Sequence, residues 1–339
     1  KSLRFDASSS SKITRTISSS GSTKIFTTSF WMKLSAYGTN DAMPFGVDPD
    51  GSFGNNMITM EINADRKMRL DAYISGAYVF RLRTKRKFRD ETGFYHIVFA
   101  VDTSQSTEAN RVRLYVNGVE ETSLATSSYT DQNFDGFLAT TPDSNKGFII
   151  GSRYNSSGGI DSASYTDGYM ADVYFTDGYT YAASDFGETN DNGVWIPKKY
   201  TGSYGTNGFK LEFKQTGTSQ NSSGIGADTS GNDKHFAVTN IDSLHVFEDT
   251  CTNNYMTMTR LSTNSRGTFD QGDLKVQTDV QGSVPYGQVE FGWFAVNKGK
   301  WYFEAKPTTV GSGGQLAIGW NERWEDGGYT NGHNNLGSN

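Results

Sequence analysis

The sequence predicts an all-β protein built from two sandwich domains in tandem, and three observations predict it. Apolar and polar residues alternate with period two in run after run, most plainly over residues 24–34 (KIFTTSFWMKL), which places one face of each strand in a core. Turn-forming pairs such as Asn117-Gly118 close these runs at hairpin spacing. The composition, with 38 Gly, 18 Tyr and 22 Phe but only 6 Pro in 339 residues, suits many short strands, and the length suits about two cores.

In chain order, residues 3–6 form a short strand, 8–11 a turn and 24–34 a long strand with one apolar face. Residues 57–62, 67–73 and 78–83 continue a meander. The stretch 94–118 (FYHIVFAVDTSQSTEANRVRLYVNG) is a strand, a polar hairpin and a second strand. Strands at 148–152 and 170–175 complete the set. Eight or more strands at this spacing bury their apolar faces best by closing two sheets on one another. Residues 215–233 (QTGTSQNSSGIGADTSGND) are poor in apolar side chains and rich in Ser, Gly and Asn, so they read as an ordered loop or linker. Strand signals resume at 255–258, 274–276, 288–296, 300–306 and 315–320. The expected organisation is a first sandwich over 1–214, a connector over 215–254 and the opening of a second sandwich over 255–339.

Lysine and arginine number 31 against 37 acidic residues, a net charge of −6, which argues against general affinity for nucleic acid or anionic membranes. The basic run 81–89 (RLRTKRKFR) is the local exception. It reads first as a strand with one solvated cationic face, and second as an anion- or polyanion-binding patch. The single cysteine, Cys251, excludes an intrachain disulfide framework. No run has the length and apolarity of a membrane-spanning helix. The chain has no initiator methionine, so Lys1 is expected to lie inside a longer chain, and Asn339 equally.

The blocks SFWMKL (29–34), FYHIVFAVD (94–102), RLYVNGVE (113–120), FIIGSRYNSSGG (148–159) and DGYMADVYFTDG (167–178) occur in an order and spacing that resembles LamG-type, concanavalin A-like jelly rolls. The resemblance covers roughly residues 3–180. The blocks GADTSGNDKHFAVTNI (226–241) and FEDTCTNNYMTM (247–258) resemble a connector of virion proteins from phages of marine bacteria, cyanophage-like ones especially, with Cys251 where that pattern has proline. The block GKWYFEAKPTTVGSGGQLAIGW (299–320) resembles a strand pair of a SPRY domain. These resemblances imply tandem concanavalin A-like jelly-roll sandwiches, LamG-like and then SPRY-like, in a phage particle.

Hydrolysis is not expected. Retaining glycosidases on this scaffold carry Glu-x-Asp-x-x-Glu, because acid and nucleophile must flank the bond at ~5–5.5 Å, and no glutamate here has Asp at +2 and Glu at +5. Gly-x-Ser-x-Gly is absent, and His96, His235, His245 and His333 are too scattered for a triad or a zinc cluster. His96 reads as a packed strand histidine. The resemblance implies a calcium ion at a loop rim, and Asp48, Asp50 and Asn55 offer the hard oxygen ligands it needs. Asp131, Asp135, Asp161 and Asp167 read as turn residues. Sugar rings stack on flat aromatic rings while amides and carboxylates take their hydroxyls, which singles out Tyr154, Asn155, Tyr165 and Tyr169, and further on Trp324, Asp326 and Tyr329. Interface or core packing is the alternative reading of these rings.

The expected role is a non-catalytic appendage of a phage virion, a tail fibre or a capsid decoration, whose lectin-like domains adhere to host-surface glycans. Its expected partners are other virion proteins and copies of itself, three if it is a fibre, with neither nucleic acid nor membrane insertion. A purely structural cement protein and a bacterial carbohydrate-active enzyme or its binding module are the alternatives.

Overall fold

The computed structural model describes residues 1–34, 41–48, 56–138, 147–154, 160–253, 256, 258, 268–270, 274–277, 300–309 and 318. The chain divides into two compact units, Lys1–Tyr255 and Met256–Asn339.

The first unit is a sandwich of two antiparallel sheets of eight strands each. Sheet A runs in the order β10 (Val119–Glu120), β9 (Val112–Val116), β8 (Tyr95–Asp102), β3 (Ile25–Leu34), β13 (Gly168–Asp177), β1 (Ser2–Phe5) and β18 (Val246–Phe247), with β16 (Phe209–Leu211) also on β13. Sheet B runs β11 (Leu124–Ser128), β7 (Ala77–Lys87), β6 (Lys67–Ile74), β5 (Asn56–Ile62), β4 (Ala42–Asp48), β12 (Gly147–Ile150), β2 (Lys12–Thr16) and β17 (Ala237–Thr239). Alternation selects the core: Phe26, Phe30, Met32 and Leu34 from β3, Ile97, Phe99 and Val101 from β8, and Met68, Leu70 and Ala72 from β6 all enter one buried cluster. Two hairpins turn on pairs with positive φ, Ser75-Gly76 (53° and 84°) and Asn117-Gly118 (49° and 83°), the geometry whose twist matches that of the flanking strands. Gly118 is doubly constrained, because a Cβ there would lie 2.6 Å from the Trp195 ring.

Two expectations change. Residues 215–254 are no separate connector: Ile225, Phe236 and Ile241 belong to the core of the first unit, and β17 and β18 extend one sheet each. Few apolar residues suffice when each is fully buried, and the remaining Ser, Asn and Asp side chains knit the loops; the Asp228 carboxylate accepts from the backbone N–H groups of Lys210, Ser230 and Lys234 at 2.9 Å each. β3 is also buried on both faces. A further layer, with Ala183, Phe186 and Tyr200 packed on Val98, Tyr115 and Tyr174, covers the outer face of sheet A, and β14 (Gly187–Thr189) pairs with β15 (Trp195–Pro197) within the covering segment.

In the second unit β19 (Thr268–Asp270) pairs antiparallel with β20 (Lys275–Gln277). The expected strand at 300–306 forms no ladder among the described residues, where its alternation meets no partner strand. The expected strand at 288–296 lies outside them.

The buried 215–254 segment makes a direct test. Phe236, fully buried with its ring 4.7 Å from that of Phe209, should cost about 3–5 kcal/mol on Phe236→Ala, read as a lower denaturant midpoint in urea at unchanged slope.

Candidate binding face on sheet B

The outer face of sheet A offers little room for a ligand near its one buried histidine. His96 stacks on Trp31 at 4.6 Å between ring centroids and packs beside Trp195 at 5.9 Å. The Trp195 indole Nε1–H donates to His96 Nδ1 at 3.0 Å. An indole nitrogen can only donate, so Nδ1 accepts, the ring proton sits on Nε2, and it is Nε2–H that donates to Ser29 Oγ at 2.9 Å. Burial pushes the imidazole down to about 3. This pair resembles a serine–histidine dyad with the proton on the wrong side: the histidine already donates to the hydroxyl and cannot take its proton.

The outer face of sheet B is different. Its side chains lie in register rows, the central one running Gly46, Thr59, Asp71, Arg81 and Ser128 across β4, β5, β6, β7 and β11. Beside it lies a second row, Glu61, Arg69, Arg83 and Thr126. The Arg69 guanidinium donates to Glu61 and lies 3.0 Å from Asp71 Oδ2, while Arg81 Nε donates to Asp71 Oδ1 at 3.3 Å. Burial raises the Asp71 carboxyl, and Arg69 and Arg81 oppose the rise. Glu61 is raised to about 7: burial is the largest cause, the Asp41 carboxylate adds to it, and Arg69 and Arg153 work against it.

At one end of these rows a small pocket is lined by Gly46, Val47, Asp48, Met57, Thr59, Ile149, Arg153 and Tyr154. The chain leaves β12 through Arg153 and Tyr154, and Tyr154 forms an antiparallel bridge with Ile160. Arg153 and Asp161 fasten this bridge: the Arg153 Nε donates to Asp161 Oδ2 at 2.7 Å, while the Asp161 N–H donates to the Arg153 carbonyl at 3.0 Å. Burial pushes the Tyr154 phenol up to about 12, and the Asp48 carboxylate reinforces the rise. The pocket itself is about the size of one water and exposes apolar surface, while the Asp48 carboxylate and the Tyr154 phenol beside it are largely buried.

The structure thus brings Asp48 and Tyr154 together, although the sequence offered one for calcium and the other for sugar. Tyr165 lies apart, with the Lys12 ammonium 5.6 Å from its ring centroid. Tyr169 departs from its expected place on a sugar-facing loop: it lies in β13 with 1% of its surface exposed, its ring 5.4 Å from Phe247 and 5.0 Å from the Lys33 ammonium. The strand β18 covers it. Asp161 behaves as a turn residue, accepting from the Ala163 N–H at 3.0 Å, and Asp167 accepts from the Ala7 N–H at 2.8 Å. Asp50, Asn55, Asn155, Trp324, Asp326 and Tyr329 lie outside the described residues. Among the described residues no three His, Cys, Asp or Glu side chains gather as a metal site, and no helix is long and apolar enough to cross a membrane.

Sequence reasoning missed Glu61, Arg69, Asp71 and Arg153. The signal was present as alternate charged positions in strands read only for their apolar faces, but the rows appear only once strand register is known.

An all-β sandwich of two antiparallel sheets with a charged outer face on one of them defines the class, a lectin-like β-sandwich. The family profile described as the concanavalin A-like lectin/glucanases superfamily matches residues 6–183, just over half of the chain, and the chain belongs to this family. Among solved structures, it is similar to the heptameric SAP-like pentraxin of Limulus polyphemus, with 12% identity over 58% of this chain and 91% of that one and a TM-score of 0.41. A candidate carbohydrate-binding protein of Bacteroides ovatus matches at 14% identity over 70% of this chain and 57% of its own, with a TM-score of 0.47. The CBM40 of Ruminococcus gnavus IT-sialidase, bound to α2,3-sialyllactose, matches at 12% over 47% and 89%, with a TM-score of 0.30. The comparison with curated proteins found no match.

Glu61 gives the face a pH signature. Its carboxyl is raised from 4.5 to about 7, so the folded chain keeps a proton that the unfolded chain releases. The group's stabilising contribution is full below pH 4.5, falls as pH rises to about 7 and is level above that. Wild type measured against Glu61→Gln should lose on the order of 2–3 kcal/mol across this window, read by denaturant unfolding at several pH values. A difference that stays constant with pH would remove the raised carboxyl.

Proposed function

We propose that this chain is a non-catalytic, glycan-binding part of a phage virion appendage, a tail fibre or a capsid decoration, and that the outer face of sheet B around Asp48, Arg153 and Tyr154 meets the sugar. The observation that carries the reading is the meeting of Asp48, Arg153 and Tyr154 around one pocket. A carboxylate accepts from sugar hydroxyls, a guanidinium donates to ring and glycosidic oxygens, and Met57 and Ile149 give an apolar wall to C–H groups. The virion setting is supported by the sequence blocks at 226–241 and 247–258. Many copies on one particle would make weak sites effective, at millimolar to micromolar affinity or ~−4 to −8 kcal/mol each. Asp48, with Asp50 and Asn55 that follow it, is the proposed place for calcium.

A raised carboxyl such as Glu61 is also what a general acid needs. Here it is fully buried and held by Arg69, which favours a structural charge over a catalytic one.

The test is binding of the assembled protein to host cells and to a glycan array, with and without EDTA, alongside an assay for released reducing ends. Binding without hydrolysis is expected, and Tyr154→Ala should weaken it about tenfold, the loss of ~1.4 kcal/mol, with unchanged circular dichroism. Loss in EDTA would locate calcium in the site. No binding by correctly assembled protein would favour a structural cement role, and release of reducing ends would make the chain an enzyme.

A further inference from the structure

We infer that the far end of the same sheet face, around Arg83 and Lys85, is a subsite for the acidic groups of an anionic polysaccharide. This rests on the glycan-binding reading and names its ligand class. β7 carries Arg81 and Arg83 two positions apart on the outer face, about 6.6 Å along the strand, and the exposed Lys85 follows where the register with β6 shifts. They are not equally neutralised. Both oxygens of Asp71 are engaged, one by Arg69 and one by Arg81, and the Arg81 guanidinium is further held 3.5 Å over the Tyr78 ring. Arg83 stands directly across from Arg69 in register; Arg69 is paired with Glu61 and Asp71, while Arg83 acts on Asp71 only from beyond ion-pair distance. Among the described residues Arg83 has no ion pair, and its buried Nε has no hydrogen-bond acceptor. Lys85 is exposed and likewise has no ion pair among them.

The surroundings match a carboxylated or sulfated sugar better than a nucleic acid. Across from Arg81 and Arg83, the edge strand β11 presents the exposed Ser128 and Thr126, hydroxyls able to share hydrogen bonds with sugar hydroxyls. The central row from Gly46 to Ser128 crosses five strands, about 19 Å at ~4.8 Å per strand. One oligosaccharide can therefore lie from the Tyr154 pocket to the cations. Outside this strip the chain is acidic, with a net charge of −6, which repels a long duplex polyanion.

The experiment compares wild type, Arg83→Gln/Lys85→Gln and the charge-keeping Arg83→Lys/Lys85→Arg in binding alginate, chondroitin sulfate, neutral dextran and a DNA duplex at two salt concentrations, with melting temperature as the folding check. Wild type should prefer at least one acidic polysaccharide to dextran and to DNA, and its affinity should fall with salt. The Gln pair should lose about tenfold or more on that polysaccharide, and the charge-keeping pair should retain it. Equal affinity in wild type and the Gln pair overturns the inference, as does DNA bound as tightly as the polysaccharide. Binding confined to neutral glycans overturns it while leaving the glycan-binding reading intact; absence of all glycan binding, on this panel and on the array, removes both.

Discussion

A cluster of phenylalanine rings holds the two sheets of the first unit together, and Phe148 is its centre. Its ring lies 4.7 Å from Phe175, 5.1 Å from Phe209, 6.2 Å from Phe45 and 6.4 Å from Phe236, most of these contacts edge-on or tilted. Such geometries bring the positive edge of one ring to the negative face of another. The cluster draws on β12, β13, β16, β4 and the segment just before β17, so residues far apart in sequence share one packing problem. Arg15 completes it: its guanidinium sits 4.7 Å from the Phe148 ring centroid and donates to the Asn207 carbonyl at 2.9 Å. Burial pulls Arg15 down to about 10 while Asp228 and Asp177 support its charge, and a cation so placed ties β2 to the segment that follows β13.

Because the core is filled from within, the fate of each outer face decides the function. Sheet A spends its outer face on structure. Trp31 and His96 stack beneath Trp195 of the covering hairpin, and Lys33 is buried in an ion pair with Asp249 under Phe94 and Tyr169. Removing either charge of such a pair would strand the other in an apolar shell, a cost usually larger than the net worth of the pair. The last segment of the unit is thus locked to sheet A by chemistry that tolerates little change. Sheet B keeps an outer face of carboxylates and guanidiniums, and it is there that a ligand finds groups to meet.

Much of the fold was legible because strand alternation and turn chemistry are local. The hairpins at Gly76 and Gly118 and the core faces of β3, β6 and β8 follow from residues within a few positions of each other. What stayed hidden depends on register and on layers. Thr27, Ser29, Trp31 and Lys33 look like a solvent face in the sequence, and only the covering segment and β18 bury them. The polar composition of 215–254 concealed three core residues. At the site, Tyr154 and Asp48 could each be singled out by type, but their meeting needed β4 paired with β12, and the Glu61 to Arg83 row needed three strands in register.

The charge rows of sheet B also bear on how rigid this face is. Glu61, Arg69, Asp71 and Arg81 are linked by direct contacts, and Asp71 and Glu61 are fully buried. A network this interlocked holds its donors and acceptors in fixed positions, so little side-chain freedom is lost when a ligand arrives. A catalytic pair needs the opposite arrangement: one carboxyl free to give up its proton and another free to approach the substrate. Here Glu61 and Asp71 each lie within ion-pair distance of a guanidinium of their own sheet, and each keeps one buried oxygen without a hydrogen-bond partner among the described residues.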